Sequence, residues 1–456
     1  MLQDPTSQTT ADTAPARQPI AQNDDKLVAP PVSGAQPAFR TSRIGTYLRD
    51  LSPEFLEPSS SGARPIAERT ATTFGTKSLP HFAGLKYREA LNQLSEFEAE
   101  YARYGTPITR RVEKALAQLD RGEAALVFRS GMAAIEKVID SVLPTNGSEI
   151  GHLIVGTEGY RQTRNILDRM VARKWVELSV IGMSEFDEVH KHLKPNTKAV
   201  FFETPSNPFL RVIDVRGVKE QIVAAGSSAL VIVDHTFAGP TNQKPLEQGA
   251  DLVVPSLTKY ISGTNDVLAG AVIGNKELLL PIFALRSQCG NIAHDNDCLG
   301  VEQGLKTLVE RAEAANENGL HVATLLSRNP YVTKVWYPGL KSHPDHEIAT
   351  KQMKGFGGVV SFCIDARDFH DIAAFVDAFI AASPEGTFLA PSFGGDNPLI
   401  SSVPIVSHFQ QSDAEREARG IPDTLLRLST GIVLAEELTT AIQAGFEALE
   451  ARKSRS

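Results

Sequence analysis

The sequence has few cysteines and no long apolar run. Its three cysteines, Cys289, Cys298 and Cys363, follow no metal-ligand spacing. We therefore expect neither a disulfide framework nor a bound metal ion, and the reducing cytoplasm is the expected location. No apolar stretch approaches the roughly 18 residues that span a membrane. Residues 1–40 are rich in Gln, Pro, Ala, Thr and Asp and lack the apolar core of a signal peptide, which predicts a disordered tail.

Basic residues are not in excess either. The chain carries 46 Lys and Arg against 54 Asp and Glu, a net charge of −8. This balance gives no electrostatic reason to expect a nucleic acid or an anionic membrane surface as partner. Hydrophobic residues make up 42% of the 456 residues, which is enough for a large core and favours two or more domains.

Short apolar runs alternate with helical patterns from about residue 111. Because the runs are continuous rather than alternating, they indicate a mostly parallel sheet covered by helices on both faces. Between the first two runs, Ile135, Val138, Ile139 and Val142 form the apolar stripe of an amphipathic helix. Ligands of such sheets bind beyond the carboxyl ends of the strands. The six runs are Ala125–Phe128, Leu153–Val155, Ala199–Phe202, Leu230–Val233, Leu252–Val254 and Ala271–Ile273.

The distribution of Pro, Gly and apolar runs divides the chain into further segments. Residues 41–110 contain short amphipathic pieces with Pro and Gly breaks, which predict an extended arm with a helix around Tyr87 to Tyr104. Residues 111–315 carry the six runs and form the predicted ligand-binding domain. Residues 316–456 predict a smaller α+β domain, because a long helical stretch precedes further short apolar runs and a closing helix.

Lys259 and Asp234 are the most informative residues, since each follows a buried apolar run. A lysine ammonium is rarely buried without a partner or a covalent use. Pyridoxal 5′-phosphate requires an amine for a Schiff base and a carboxylate facing its pyridinium nitrogen. The two residues therefore predict a pyridoxal phosphate site, in which burial near cations lowers the pKa of Lys259. The alternative is a surface lysine and an aspartate that serves a turn.

Three segments supply groups for the cofactor's phosphate and ring. Ser130-Gly131-Met132 joins a predicted strand to a predicted helix, whose N-terminus offers N–H groups to a phosphate. Ser256 and Thr258 would add hydroxyl donors. Tyr160 follows a strand, so its ring would stack on the cofactor and its hydroxyl would protonate a leaving group. An ordinary half-buried tyrosine is an equal alternative.

Arg427 lies among leucines in Leu425-Leu426-Arg427-Leu428-Ser429. A buried arginine needs an anion, and the α-carboxylate of an amino-acid substrate fits a bidentate guanidinium. A structural ion pair is the alternative.

These segments together resemble the Cys/Met-metabolism family of pyridoxal-phosphate enzymes, the γ-subfamily of fold type I. The resemblance implies an aspartate-aminotransferase-like α/β fold, with a mostly parallel seven-stranded sheet between helices and a smaller C-terminal α+β domain. It extends from about Tyr101 to the end of the chain. The matching segments are Tyr101–Gly105, Phe128–Met132, Glu203–Pro208, Val233–Thr236, Ser256–Tyr260, Gly304–Leu308, Tyr337–Leu340 and Arg427–Ser429.

The resemblance also implies roles that composition does not. It implies a homotetramer built as two tight dimers, in which Tyr101 and Arg103 reach the cofactor phosphate of the neighbouring subunit. Asn207 would hydrogen-bond the cofactor's phenolic oxygen. Ser392 would help to hold Lys259 and the substrate carboxylate.

Several positions depart from the family pattern near the expected substrate channel. Asn397 stands where the family run Ser-Leu-Gly-Gly-Phe-Glu-Ser has its glutamate, and Arg161 follows the tyrosine where small residues are usual. Both are expected to contact substrate, and both make the site less suited to a cationic distal group. Glu96, Glu98 and Glu100 would compensate by supplying acids, or would form a solvated helix face.

The cofactor residues match the family while the specificity residues differ. The expected function is therefore γ-elimination or γ-replacement on a γ-substituted L-amino acid, a homoserine derivative or a thioether. One alternative is β-elimination from cystathionine or a similar thioether. Another, from a different class, is a non-catalytic homologue.

Overall fold

The computed structural model describes residues 64–65, 73–75, 78–90, 101–144, 149–408, 416–417 and 419–454. The predicted tail, most of the predicted arm and Glu96, Glu98 and Glu100 lie outside these residues. Within the arm, a helix begins at Leu79 and ends at Ala90, and Tyr101 to Tyr104 form a turn. The prediction of a helix around Tyr87 to Tyr104 is therefore wrong at its C-terminal end.

The described part of the chain contains fourteen strands, which are numbered in chain order. They are β1 (Arg64–Pro65), β2 (Phe74–Gly75), β3 (Ala124–Phe128), β4 (Gly151–Gly156), β5 (Val176–Ile181), β6 (Thr197–Glu203), β7 (Leu230–Asp234), β8 (Leu252–Val253), β9 (Gly270–Gly274), β10 (Val332–Trp336), β11 (Val359–Ile364), β12 (Phe388–Leu389), β13 (Leu399–Ser402) and β14 (Leu425–Ser429).

The helices are numbered in the same way. They are α1 (Leu79–Ala90), α2 (Pro107–Asp120), α3 (Gly131–Val142), α4 (Arg161–Ala172), α5 (Val215–Ala224), α6 (Gly239–Asn242), α7 (Lys276–Cys289), α8 (Asp295–Leu305), α9 (Leu308–Ser327), α10 (His346–Gln352), α11 (Phe369–Ala382), α12 (Val403–His408) and α13 (Ala435–Ser454), with 3-10 turns at Met183–His192 and Pro245–Gln248.

The large sheet has seven strands in the order β3-β9-β8-β7-β6-β4-β5. All are parallel except β9, which runs antiparallel to both of its neighbours. All six apolar runs of the sequence lie in or against these strands. The mostly parallel sheet is thereby confirmed, and β5 is the member that the apolar runs did not predict.

Helices cover both faces of this sheet because its strands are apolar on both sides. Leu126 and Phe128 of β3 pack with α3, α4 and α7 on one face. Ala125 and Val127 of the same strand pack with α2 and α8 on the other. Burial on both faces explains why the strands are continuous apolar runs.

A second, five-stranded sheet has the order β10-β11-β14-β13-β12 and is mostly antiparallel. Leu426 and Leu428 of β14 pack with α9, α11 and α13 on one face. Because side chains alternate along a strand, Arg427 lies on the opposite face, beside its register partners Ser361 and Ser401. That face meets the loop after β6, where Ser361 Oγ donates to the carbonyl of Pro208 at 2.7 Å.

Helix α9 joins the two sheets. Ala315 packs beside Phe237 and Tyr260 near the large sheet, whereas Leu326 packs in the core of the second sheet. The predicted domain boundary at residue 315 falls inside this helix. In the described part of the chain, no helix combines the length and apolar character needed to cross a membrane.

Candidate active site

The carboxyl ends of β3, β4, β6, β7 and β8 lie along one edge of the large sheet, since these strands run parallel. This edge brings together polar residues that are far apart in sequence. Ser130, Tyr160, Asn207, Asp234 and Lys259 all follow or end these strands. The sheet edge is the expected location of a ligand in an α/β fold.

Asp234 ends β7 and is 8% exposed. Its Oδ1 accepts hydrogen bonds from the Thr236 N–H at 2.9 Å and the Thr236 hydroxyl at 2.5 Å. Its Oδ2 has no hydrogen-bond partner among the described residues. Burial raises the pKa of this carboxyl, and the Thr236 bonds and the His235 charge oppose that rise. One oxygen is thus fixed, and the other remains available to a protonated ring nitrogen.

Lys259 is held by a hydroxyl rather than by an acid. Its Nζ donates to Ser392 Oγ at 2.8 Å and lies 5.2 Å from the centroid of the Phe393 ring. No described carboxylate pairs with it. Burial, with a smaller contribution from the Arg427 charge, lowers the pKa of Lys259 to about 8. A usable fraction of neutral amine therefore exists near neutral pH.

Ser130 and Gly131 begin helix α3 beside the lysine loop. Ser130 Oγ caps the helix by accepting from the Ala133 N–H at 3.1 Å, while the Gly131 and Met132 N–H groups have no partner among described residues. A Cβ on Gly131 would come within 3.2 Å of the Ser256 Cβ. The glycine therefore permits the helix N-terminus and Ser256 to approach closely, which makes a cradle suited to a phosphate.

Two predicted phosphate-site residues have partners of their own. The Thr258 hydroxyl donates to the Ala269 carbonyl at 3.1 Å and accepts from the Ala269 N–H at 3.0 Å. Met132 Sδ accepts from the Thr163 hydroxyl at 3.8 Å, which links α3 to α4. The structure places both residues beside the cradle, with Thr258 fixing the lysine loop.

Tyr160 stands at the N-terminus of α4 and is 48% exposed. Its N–H donates a short hydrogen bond to the Glu203 carboxylate, and the preceding Gly159 N–H donates to the Asn207 carbonyl at 2.9 Å. The tyrosine loop is thus bound to the end of β6.

Glu203 is a buried site residue that sequence reasoning missed. It is 4% exposed and is the register partner of Asp234 across β6 and β7. Burial and the Asp234 charge raise its pKa well above the ordinary glutamate value. The available signal was its place as the first residue of Glu203–Pro208, directly after an apolar run.

Arg427 is 4% exposed and forms no ion pair with the described residues. Its Nη1 donates to Asn207 Oδ1 at 3.1 Å, and its Cζ lies 5.4 Å and 5.9 Å from the ring centroids of Phe393 and Phe237. Burial lowers its pKa to about 10, so it remains a cation. The structural ion pair considered as an alternative is absent among described residues, which leaves the guanidinium available to an external anion.

Three predicted residues lie apart from this cluster, and Arg161 lies at its margin. Arg161 opens α4 and lines an open cleft together with Tyr160, Glu203 and Asn207. Asn397 packs over Gly386. Arg103 donates to the Ser287 carbonyl at 2.8 Å, and its guanidinium lies 5.4 Å from the centroid of the Tyr101 ring.

The cluster fits pyridoxal phosphate. An amine of lowered pKa, a carboxylate with one uncommitted oxygen and a glycine-lined helix N-terminus occur at one sheet edge. These are the three groups that the cofactor's aldehyde, ring nitrogen and phosphate require.

Comparison with known proteins agrees with this chemistry. The model of the family described as Cys/Met metabolism PLP-dependent enzyme matches residues 58–447. A cystathionine beta-lyase from Lactococcus lactis subsp. cremoris is 37% identical over 383 residues, which cover 84% of this chain and 96% of that protein. An L-methionine gamma-lyase from Fusobacterium nucleatum subsp. polymorphum is 37% identical over 349 residues, which cover 76% of this chain and 86% of that protein.

A solved structure extends the likeness to the fold. Cystathionine gamma synthase from Xanthomonas oryzae pv. oryzae, in complex with cystathionine, superposes with a TM-score of 0.72 at 35% identity, covering 77% of this chain and 88% of that one. This agreement over most of both chains confirms fold type I and the pyridoxal phosphate cofactor. The chain belongs to the Cys/Met-metabolism family of pyridoxal-phosphate-dependent enzymes.

Proposed function

We propose that the protein catalyses γ-elimination or γ-replacement on a γ-substituted L-amino acid, a homoserine derivative or a thioether. The observation that carries the proposal is the half-buried Lys259 amine beside the buried Arg427 guanidinium, neither of which forms an ion pair with a described carboxylate. An amine of lowered pKa beside an unpaired guanidinium suits proton transfer next to a bound carboxylate. The likeness to a methionine γ-lyase and a cystathionine γ-synthase supports chemistry at the γ-carbon.

The proposed reaction divides its steps among four residues of this chain. Arg427 binds the substrate α-carboxylate, and Ser392 holds the amine of Lys259 in place. Lys259 would take the Cα proton, would pass it to the bound cofactor and, again as a free amine, would take the Cβ proton, while Tyr160 would protonate the departing γ-substituent. Bound pyridoxal phosphate supplies the electron sink for charge that develops at Cα, with Asp234 opposite its ring nitrogen.

We also propose which residues contact the cofactor's phosphate and phenolic oxygen and the distal group of the substrate. The phosphate would be held by Ser130, Gly131, Met132 and Ser256 of this subunit, and Thr258 would support this site by fixing the lysine loop through Ala269. The same phosphate would receive Tyr101 and Arg103 from the neighbouring subunit. Asn207 would contact the phenolic oxygen. Arg161 and Asn397 would face the substrate's distal group.

A β-elimination from cystathionine or a similar thioether is the second candidate. The likeness to a cystathionine β-lyase, which covers 96% of that protein, favours it. The same residues would serve both reactions, and the difference is whether Lys259 reaches the Cβ proton.

The assembly and location are proposed on the same basis. We propose a homotetramer of two tight dimers in the cytoplasm, supported by the family resemblance and by three cysteines that are all free thiols. We also propose a cofactor-binding domain over residues 111–315 and an α+β domain over residues 316–456.

A substrate panel tests the function. The enzyme would be offered γ- and β-substituted L-amino acids, and 2-oxobutyrate, pyruvate, homoserine and ammonia would be measured. We expect 2-oxobutyrate from γ-substituted substrates, or a replacement product when a thiol is added. The Lys259→Ala variant should lose at least about 10³-fold in turnover, because the proton acceptor is removed. Pyruvate as the sole oxo acid would replace the γ assignment with the β alternative.

A further inference from the structure

The turn Ser392–Asp396 is bound to both halves of the active site. The Gly394 N–H donates to Ser429 Oγ, two residues beyond Arg427, at 3.0 Å. The Asp396 N–H donates to the Gly263 carbonyl in the lysine loop at 3.1 Å. Gly394 has φ +80°, and a Cβ there would lie 2.7 Å from the Tyr260 nitrogen. The turn therefore fixes the side chain of Phe393 between the lysine loop and β14.

The Phe393 ring is buried against other aromatic rings. It is 6% exposed and stacks on Phe237, with ring centroids 4.2 Å apart and an interplanar angle of 22°. The Tyr260 ring meets it at 62° with a centroid distance of 6.0 Å. These contacts set the orientation of the ring, because stacked and edge-to-face pairs are the favoured aromatic geometries.

Both active-site cations lie within reach of this ring. Lys259 Nζ is 5.2 Å and Arg427 Cζ is 5.4 Å from its centroid, inside the roughly 6 Å over which a ring attracts a cation. A buried charge needs compensation. No described carboxylate forms an ion pair with either cation; the Glu203 carboxyl acts on Arg427 at longer range, and burial raises the pKa of Glu203 itself, which disfavours its charged form. A carboxylate would pair with the guanidinium and compete with a substrate's carboxylate. An aromatic ring attracts the cation without occupying its hydrogen-bond donors.

We propose that Phe393 is a positioning residue, whose ring holds Arg427 in place of a carboxylate counter-ion and leaves Arg427 able to bind a substrate carboxylate. The inference rests on the proposed function, in which Arg427 binds that carboxylate. The inference also gives a role to Phe393 as a departure from the family pattern, since the family run Ser-Leu-Gly-Gly has leucine where this chain has Phe393 after Ser392.

The test compares aromatic and aliphatic replacements in the cofactor-loaded enzyme. Calorimetry measures the Kd of propanoate, a carboxylate probe, with propanamide as the uncharged control. We expect Phe393→Leu and Phe393→Met to weaken propanoate binding by about tenfold, with a matching rise in KM and a kcat change below about threefold. Phe393→Trp should bind propanoate within about threefold of wild type, because it keeps an aromatic face.

Phe375→Leu is the matched control, since Phe375 is fully buried in the core of the second sheet. It should leave the propanoate Kd unchanged. In an Arg427→Gln background, Phe393→Leu should have no further effect on propanoate. Equal propanoate affinity for Phe393→Leu and wild type, or equal weakening by Leu and Trp, would overturn the inference alone. If Arg427→Gln itself leaves the propanoate Kd unchanged, the carboxylate role in the proposed function fails instead.

Discussion

Glu203 is a carboxyl group buried beside the carboxyl group of Asp234. Its pKa lies well above the ordinary value of 4.5, because burial and the neighbouring negative charge disfavour ionisation. A raised pKa means that the folded state binds the proton more tightly than the unfolded state does. This contribution to stability is complete below the ordinary pKa and is lost as pH rises toward the folded-state pKa.

Substitutions at Glu203 separate this charge from the hydrogen bond to Tyr160. Glu203→Gln keeps an oxygen acceptor for the Tyr160 N–H, so kcat/KM should stay within about threefold of wild type. Wild-type stability should fall as pH rises above the ordinary glutamate pKa of 4.5, and thermal unfolding of Glu203→Gln should not show this fall. Glu203→Ala leaves the N–H unpaired and should lower kcat/KM by about tenfold. Equal kinetics for the two variants would show that the hydrogen bond does not position Tyr160.

Site residues differ in how well sequence alone predicts them. Lys259 and Asp234 could be predicted because each follows a buried run, and Arg427 because it interrupts one. Glu203 also follows an apolar run, but its role could not be predicted from sequence, and neither could that of Phe393, since both roles depend on which strands and turns become neighbours. Glu203 matters through Asp234 on the adjacent strand, and Phe393 through contacts with two separate segments.

Whether a secondary-structure element can be predicted from sequence also depends on its neighbours in the fold. The strands in the middle of the large sheet are buried on both faces and appear as continuous apolar runs. Strand β5 is the outermost strand of the large sheet, next to β4, and is buried only at Val176 and Ile181. Its sequence therefore carries no continuous apolar run. Strand β14 is a run of apolar residues interrupted by Arg427, because one of its faces lies against helices and the other meets the loop after β6.

Helices α11 and α13 are joined by an ion network around Asp371, whose side chain is fully buried. Asp371 accepts from Arg367 at 2.8 Å and from Arg452 at 2.8 Å. The Arg367 hydrogen bond is the largest cause that holds the pKa of Asp371 well below its ordinary value. A lowered pKa stabilises the fold at pH values above about 3.9, the unfolded-state pKa, and this stabilisation is lost as pH falls further.

Asp371→Asn should therefore destabilise the protein by roughly 1–3 kcal/mol at neutral pH, because the arginines lose a charged acceptor. Urea unfolding measures this change, and the difference from wild type should shrink in acid. Asp365→Asn is the matched control, since Asp365 pairs with Lys453 of α13 at an exposed site. Its effect should stay within about 0.5 kcal/mol. Equal effects of the two substitutions would contradict the importance of the buried network.

At the scale of the whole molecule, the proposed dimer places the arm of one subunit at the site of the other. Within one chain, Arg103 contacts Ser287, Tyr101 and Tyr104. None of these is a residue of the phosphate cradle. Arg103 would instead reach the phosphate cradle of the neighbouring subunit, because a two-fold interface exchanges equivalent segments between subunits.

Hybrid dimers test this arrangement directly. Lys259→Ala and Arg103→Ala chains, each inactive or weak alone, would be co-expressed with different affinity tags and the doubly tagged species purified. In a hybrid dimer that exchanges arms, the subunit that retains Lys259 receives an intact Arg103 from its partner. One site in two is then complete, and about half of the wild-type kcat per dimer should return. If each arm served its own subunit, no site in the hybrid would hold both residues and activity would stay at the level of the single variants.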